Sequence, residues 1–160
     1  MPVKLLALVA LFFALAISVV FTCTLYAETS EQKEMLASAE SFFVDLKHGR
    51  YLNVWRSLTE FSKGKILESI VKKGKNLDKS LLREDFDRCG ELCKAYWDTF
   101  LKVFDPDLVL NESRWQIRNF RKDRGEIVIK YRDAKRPAIL RMFKEGDSWK
   151  VGLSESFFPK

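Results

Sequence analysis

The sequence predicts an α+β domain in which N-terminal helices pack on one face of a curved four-stranded antiparallel sheet. Apolar residues recur with a 3.6-residue period from Met35 to Leu101, and they alternate with a period of two from Ser113 to Leu153. Asp105-Pro106-Asp107 stands between the two regimes and breaks the last helical stretch. Helices followed by a run of strands give a layer of helices on an antiparallel sheet. Four Trp and thirteen Phe, most of them beyond residue 27, supply enough bulk for a packed core and exclude a disordered chain.

The first helix opens at Thr29, which with Gln32 forms a capping-box pattern, and carries Met35, Leu36, Ala39, Phe42, Phe43 and Leu46 on one stripe. Gly49 ends it near His48. A short second helix puts Tyr51, Val54, Trp55 and Leu58 on one face, and a third over Glu60–Lys73 carries Ile66, Leu67, Ile70 and Val71 before Gly74. Asp78 or Ser80 caps a fourth helical region, whose apolar face runs through Phe86, Cys89, Leu92, Cys93, Tyr96, Trp97, Phe100 and Leu101.

Trp115 and Ile117 then alternate with Arg114, Gln116 and Arg118. After the turn Lys122-Asp123-Arg124-Gly125, Ile127, Ile129 and Tyr131 alternate with Glu126, Val128 and Lys130. Pro137–Lys144 is apolar on both faces, Ala138, Leu140 and Met142 against Ile139, Arg141 and Phe143, which predicts a central strand. A hairpin at Glu145-Gly146-Asp147 leads to a last strand with Trp149, Val151 and Leu153 inward, then a tail with Phe157 and Phe158.

Between Lys4 and Glu28 no Asp, Glu, Lys or Arg occurs. Residues 1–27 therefore read as a secretory signal peptide or as an uncleaved N-terminal membrane anchor, long enough for a hydrocarbon core of about 30 Å. Ala27 before Glu28 suits cleavage; Leu25 departs from the small-x-small pattern. Either way residues 28–160 form one domain with an extracytoplasmic address, periplasmic or secreted, where nucleic acid is not an expected partner. Charge divides unevenly within it: residues 28–112 hold 14 Lys and Arg against 16 Asp and Glu, residues 113–160 hold 13 against 6. The basic last third reads as a solvated sheet face or as a surface for anionic lipid or an acidic protein.

The stretch Ala39–Thr59, with Phe43, Asp45, Leu46, Gly49, Arg50 and Tyr51 closing one helix and Trp55 and Leu58 in the next, resembles the opening of nuclear-transport-factor-2-like domains of the cystatin-like cone fold. Gly146-Asp147-Ser148-Trp149-Lys150-Val151 is similar to their last hairpin, where a tryptophan enters the cone. The resemblance implies the cone architecture over roughly residues 30–155. It does not imply one function, because this fold hosts enzymes, ligand binders and assembly modules.

No residue matches the inward Asp, His or Tyr with which enzymes of that superfamily work as acid or base. His48, the one histidine, reads as a helix-end residue, and Asp45 and Glu40 as solvent-face charges. Neither a cofactor nor a metal site is expected, since no further ligands accompany His48. Cys89 and Cys93 lie four apart, about 6 Å between Cα atoms on a helix, and read either as a disulfide or as two buried thiols on the apolar stripe. Trp55, Tyr96, Trp115 and Tyr131, with Trp97 and Trp149, either line a pocket for a small apolar ligand or fill the cone. Arg141, alone among apolar residues, binds a ligand carboxylate or pairs with an acid such as Asp98 if it faces inward, and joins the basic face if outward. The expected function is a non-enzymatic extracytoplasmic domain of bacterial type that binds a small apolar ligand or a protein, with a homodimer through the sheet or a membrane contact as further partners. A membrane-anchored assembly module of an envelope secretion or transport complex, or a small cavity enzyme such as an isomerase or hydrolase, are the alternatives.

Overall fold

The computed structural model describes residues 29–74, 77–132 and 134–157. Residues 1–27, read above as a signal peptide or an anchor, and Phe158 lie outside these residues. Among the described residues seven helices and one four-stranded antiparallel sheet pack together as an α+β fold: α1 (Ser30–Lys47), α2 (Tyr51–Arg56), α3 (Glu60–Lys73), α4 (Lys79–Arg88), α5 (Glu91–Leu101), α6 (Pro106–Asn111), β1 (Ser113–Arg118), β2 (Arg124–Tyr131), β3 (Ala138–Glu145), β4 (Ser148–Gly152) and α7 (Leu153–Phe157). The strands form a meander in the order β1-β2-β3-β4, so β3 is central as its two apolar faces predict.

Local chemistry sets the helix ends. Thr29 and Gln32 form the capping box at α1, and Gly49 takes the left-handed conformation (φ 68°) that lets the chain turn into α2. Thr59 caps α3 and Asp78 caps α4 through the N–H groups of Ser80 and Leu81.

The helical stretch from Lys79 to Leu101 is two helices rather than one. Cys89 adopts a left-handed conformation (φ 52°) at the end of α4, and Gly90 leads into α5. At Gly90 a Cβ would lie 2.1 Å from the carboxylate of Asp85, which instead accepts the Cys93 N–H at 2.8 Å. The Asp-Pro break is likewise also a start: Asp105 accepts the Asp107 N–H and Pro106 stands in the first turn of α6. At the other end of the domain, Leu153 is buried as expected but belongs to α7, because β4 stops at Gly152.

The core lies between the helices and the inner sheet face. Met35, Phe42, Leu46, Trp55, Phe86 and Trp97 are buried against Ile127, Leu140, Met142 and Val151. Met35 is seated over β2: a Cβ at Gly125 would lie 2.5 Å from its Sδ. Glycine is therefore the residue that lets α1 approach the strand this closely.

Candidate functional site

The aromatic residues expected to line one pocket do not converge. Trp55 is 1% exposed, its ring 4.8 Å from that of Phe86, and its Nε1 donates to Asp87 at 2.8 Å. Tyr96 borders a surface cleft of about 410 Å³ beside Lys65, Lys72, Lys73 and Ser154. Trp115 packs edge-on against Phe43 and borders another cleft, of about 310 Å³, with Leu36, Glu40 and Leu110. Tyr131, at the end of β2, borders a third of about 250 Å³ with Arg114 and Lys130. Core packing thus claims Trp55 outright and holds Tyr96 against Phe86 and Trp97, and Trp115 against Phe43, while Tyr131 stands at the surface, so the four line no common cavity.

Arg141 faces outward. Its Nη1 donates to the Glu155 carbonyl at 2.6 Å, its Nε lies 3.7 Å from Glu126, and its backbone N–H donates to Ser156 Oγ at 2.8 Å. Asp98, the acid considered for it, accepts instead from the Tyr51 hydroxyl. Burial and this hydrogen bond push the Tyr51 phenol up to about 12.

The register assembles the outward row to which Arg141 belongs. Arg118 pairs with Glu126, Glu126 with Arg141 and Arg141 with Gly152, so one carboxylate stands between two guanidinium groups. Burial pushes the Glu126 carboxyl up, but the Asn119 amide, Arg118 and Arg141 outweigh it and hold the acid below its ordinary range. The next row is Gln116, Val128 and Ile139, and Arg114 faces Lys130 beyond it. Phe143 lies over Gly152 on the same side. Half-buried Val128, Ile139 and Phe143 are thus flanked by exposed Arg114, Arg118, Arg124 and Lys130. Among the described residues Arg114, Arg124 and Lys130 make no ion pair, so this face keeps a positive field.

Several acids on the helical side stand in structural pairs. Arg83 bridges Asp87 and Glu60, and Glu155 accepts from Thr59 at 2.7 Å and from Ser62 beside the start of α3. This last network joins α3 to α7, and no periodicity marks it in sequence. Its hint is a Thr-x-x-Ser pair at a helix start. Cys89 and Cys93 are joined as a disulfide across the α4–α5 corner. His48 caps α1, and Asn111, the acceptor of the Asn-Glu-Ser sequon, donates to Asp107 at 2.8 Å.

Among the described residues no group of three or more His, Cys, Asp or Glu could hold a metal ion, and no helix is long and apolar enough to cross a membrane. The chain matches no protein-family model, no curated protein and no solved structure.

Proposed function

We propose that the protein is a non-enzymatic extracytoplasmic domain that receives an acidic protein partner on the outer face of its sheet. One observation carries the reading: three cations without ion pairs among the described residues, Arg114, Arg124 and Lys130, rim half-buried Val128, Ile139 and Phe143. A partly apolar centre with a charged rim is the anatomy of a protein interface. Two copies presenting this face to each other would oppose like charges, which disfavours a homodimer through the sheet and favours an acidic partner. The core position of Trp55 and the dispersal of Tyr96, Trp115 and Tyr131 weigh against a small apolar ligand in the interior. Asp98, Asp87 and Glu155 are held by Tyr51, Trp55 and Ser62, which supports a structural rather than a catalytic use. Helices followed by a four-stranded meander also support an affiliation with nuclear-transport-factor-2-like domains, whose members include binding and assembly modules.

A photo-crosslinking residue at Gln116, compared with one at Glu84 on α4, tests the assignment in the source cell. A single adduct from Gln116, rebuilt with the purified partner and lost in Arg114→Glu/Lys130→Glu, is expected. Adducts only from Glu84 would sink it.

Retention of residues 1–27 as an anchor is the second reading. It is favoured by the sequence between the uncharged run and α1, which consists of Glu28 and the cap residue Thr29 alone. The domain is then a membrane-tethered assembly module.

A further inference from the structure

The first two turns of α1 are pinned to the sheet. In the first turn of α1, Glu31 pairs with Lys144 at 2.8 Å, and the Lys144 backbone N–H donates to the carbonyl of Asp123 at 2.8 Å. One turn later Met35 sits over Gly125. The start of α1 therefore lies against the hairpin that joins β1 to β2. That hairpin is tightened by the Arg121 N–H donating to the Arg124 carbonyl at 2.8 Å and by Asn119 in a left-handed conformation (φ 53°). Phe120, half-buried, packs on Trp149 with ring centroids 5.7 Å apart, so the tip is fixed to the domain.

Four cations project from this hairpin. Arg118 is paired with Glu126, whereas exposed Arg121, Lys122 and Arg124 make no ion pair among the described residues. Asp123 is the one acid at the tip; nearby, Glu31 pairs with Lys144, on which Glu34 and Asp147 also act.

We propose that this basic hairpin is a contact site for anionic phospholipid headgroups, placed beside the point where an N-terminal anchor leaves the bilayer. It rests on the second reading above, in which residues 1–27 are retained. Glu28 and Thr29 span at most about 7 Å of extended chain. A headgroup layer is about 5–8 Å thick on each side of the hydrocarbon core. About 20 of the 23 uncharged residues fill the hydrocarbon core, so an anchor leaves α1 only a few residues of spacer, and the hairpin packed against α1 is held near the headgroups. Phosphate esters fit the three cations by charge, and each such residue near an anionic surface strengthens the contact about fivefold. Tethering adds to this by making the contact intramolecular.

The full chain, reconstituted in vesicles of phosphatidylcholine alone or mixed equally with phosphatidylglycerol, provides the test. Hydrogen exchange of the amides from Asn119 to Arg124 is expected to slow only in the anionic vesicles and to recover at high salt. Arg121→Gln/Lys122→Gln/Arg124→Gln should weaken the contact on the order of a hundredfold and return exchange to its phosphatidylcholine rate, with the core amides unchanged. Equal exchange in both vesicles, from a chain that still floats with them and keeps Met1 by mass, would overturn the hairpin contact and leave the anchor standing. Protection that instead needs an acidic protein would also overturn it. A mature mass beginning near Glu28, with no flotation, overturns the anchor and the proposal together.

Discussion

The hydroxyl of Tyr51 donates to the carboxylate of Asp98, which ties α2 to α5 across the helical layer. Burial first, and then the hydrogen bond and charge of Asp98, push the phenol up to about 12, against an ordinary value of about 10. A raised folded value means that the pair stabilises the protein below pH about 10 and that this contribution is lost as pH climbs towards about 12. Phenolate absorbance should therefore show a late titration, and Tyr51→Phe should remove it. Tyr96, raised by burial, remains as a second late group. A profile unchanged by Tyr51→Phe would refute the assignment.

Asp87→Ala should destabilise the domain by about 1–3 kcal/mol, because it leaves the buried Nε1 of Trp55 without its acceptor. The Asp87 carboxyl, pushed up by burial but held below its ordinary range by Trp55 and Arg83, stabilises at neutral pH. That share disappears as pH falls through its lowered value. Urea unfolding of both proteins at neutral and acid pH should show the gap between them closing in acid.

Ser62 and Glu155 make a parallel case on the other side of α3. Ser62 Oγ donates to Glu155 and accepts the buried Ser154 N–H at 2.9 Å. Ser62→Ala strands that N–H, and a loss of about 1–3 kcal/mol in chemical denaturation is expected. Hydrogen exchange should speed up locally in α7 before the sheet responds.

At Gly125, alanine forces its Cβ onto Met35 and should cost about 1–3 kcal/mol. In Gly125→Ala/Met35→Ala the new methyl enters space that the removed thioether vacates. The double variant should then lose less than the sum of the singles, and strict additivity in a thermal denaturation cycle would refute the contact.

Thiol counting on the denatured, unreduced full chain should find one free cysteine, Cys23, and three after reduction. Replacing Cys89 and Cys93 by serine should lower stability by about 2 kcal/mol, as expected for a very short closed loop.

Elements whose ends are fixed by local chemistry were readable. The Thr29–Gln32 box and Gly49 bound α1, Gly74 follows α3 at Lys73, and alternation gave the strands their inner residues, Ile127, Leu140 and Val151 among them. Where two rules compete, the pattern gives way. The stripe spans Gly90 because α4 and α5 turn Phe86, Cys93 and Trp97 to the same core, while Leu92, expected on it, is left exposed. Arg141 shows a different limit: a period of two separates the faces of a strand, but only the register with Glu126 and Gly152 shows which neighbours the outer one meets. The basic turn at Lys122–Arg124 is legible in sequence, but its place in the fold is not, for a third reason. Arg121, Lys122 and Arg124 are visible in sequence, yet their closeness to the start of α1 arises through Lys144 and Met35, remote from both.

The two margins of the sheet are unequal. On β4, Thr59 donates to the Val151 carbonyl at 3.1 Å and the Val151 N–H donates to Ser57 at 2.8 Å, so the segment before α3 occupies that margin. On β1, no such backbone bridge occurs among the described residues, and Arg114 and Arg118 guard the strand. Strand addition between copies can therefore proceed from one side only. It would terminate at a pair, and a continuous cross-β stack would first require the Ser57–Thr59 segment to peel away.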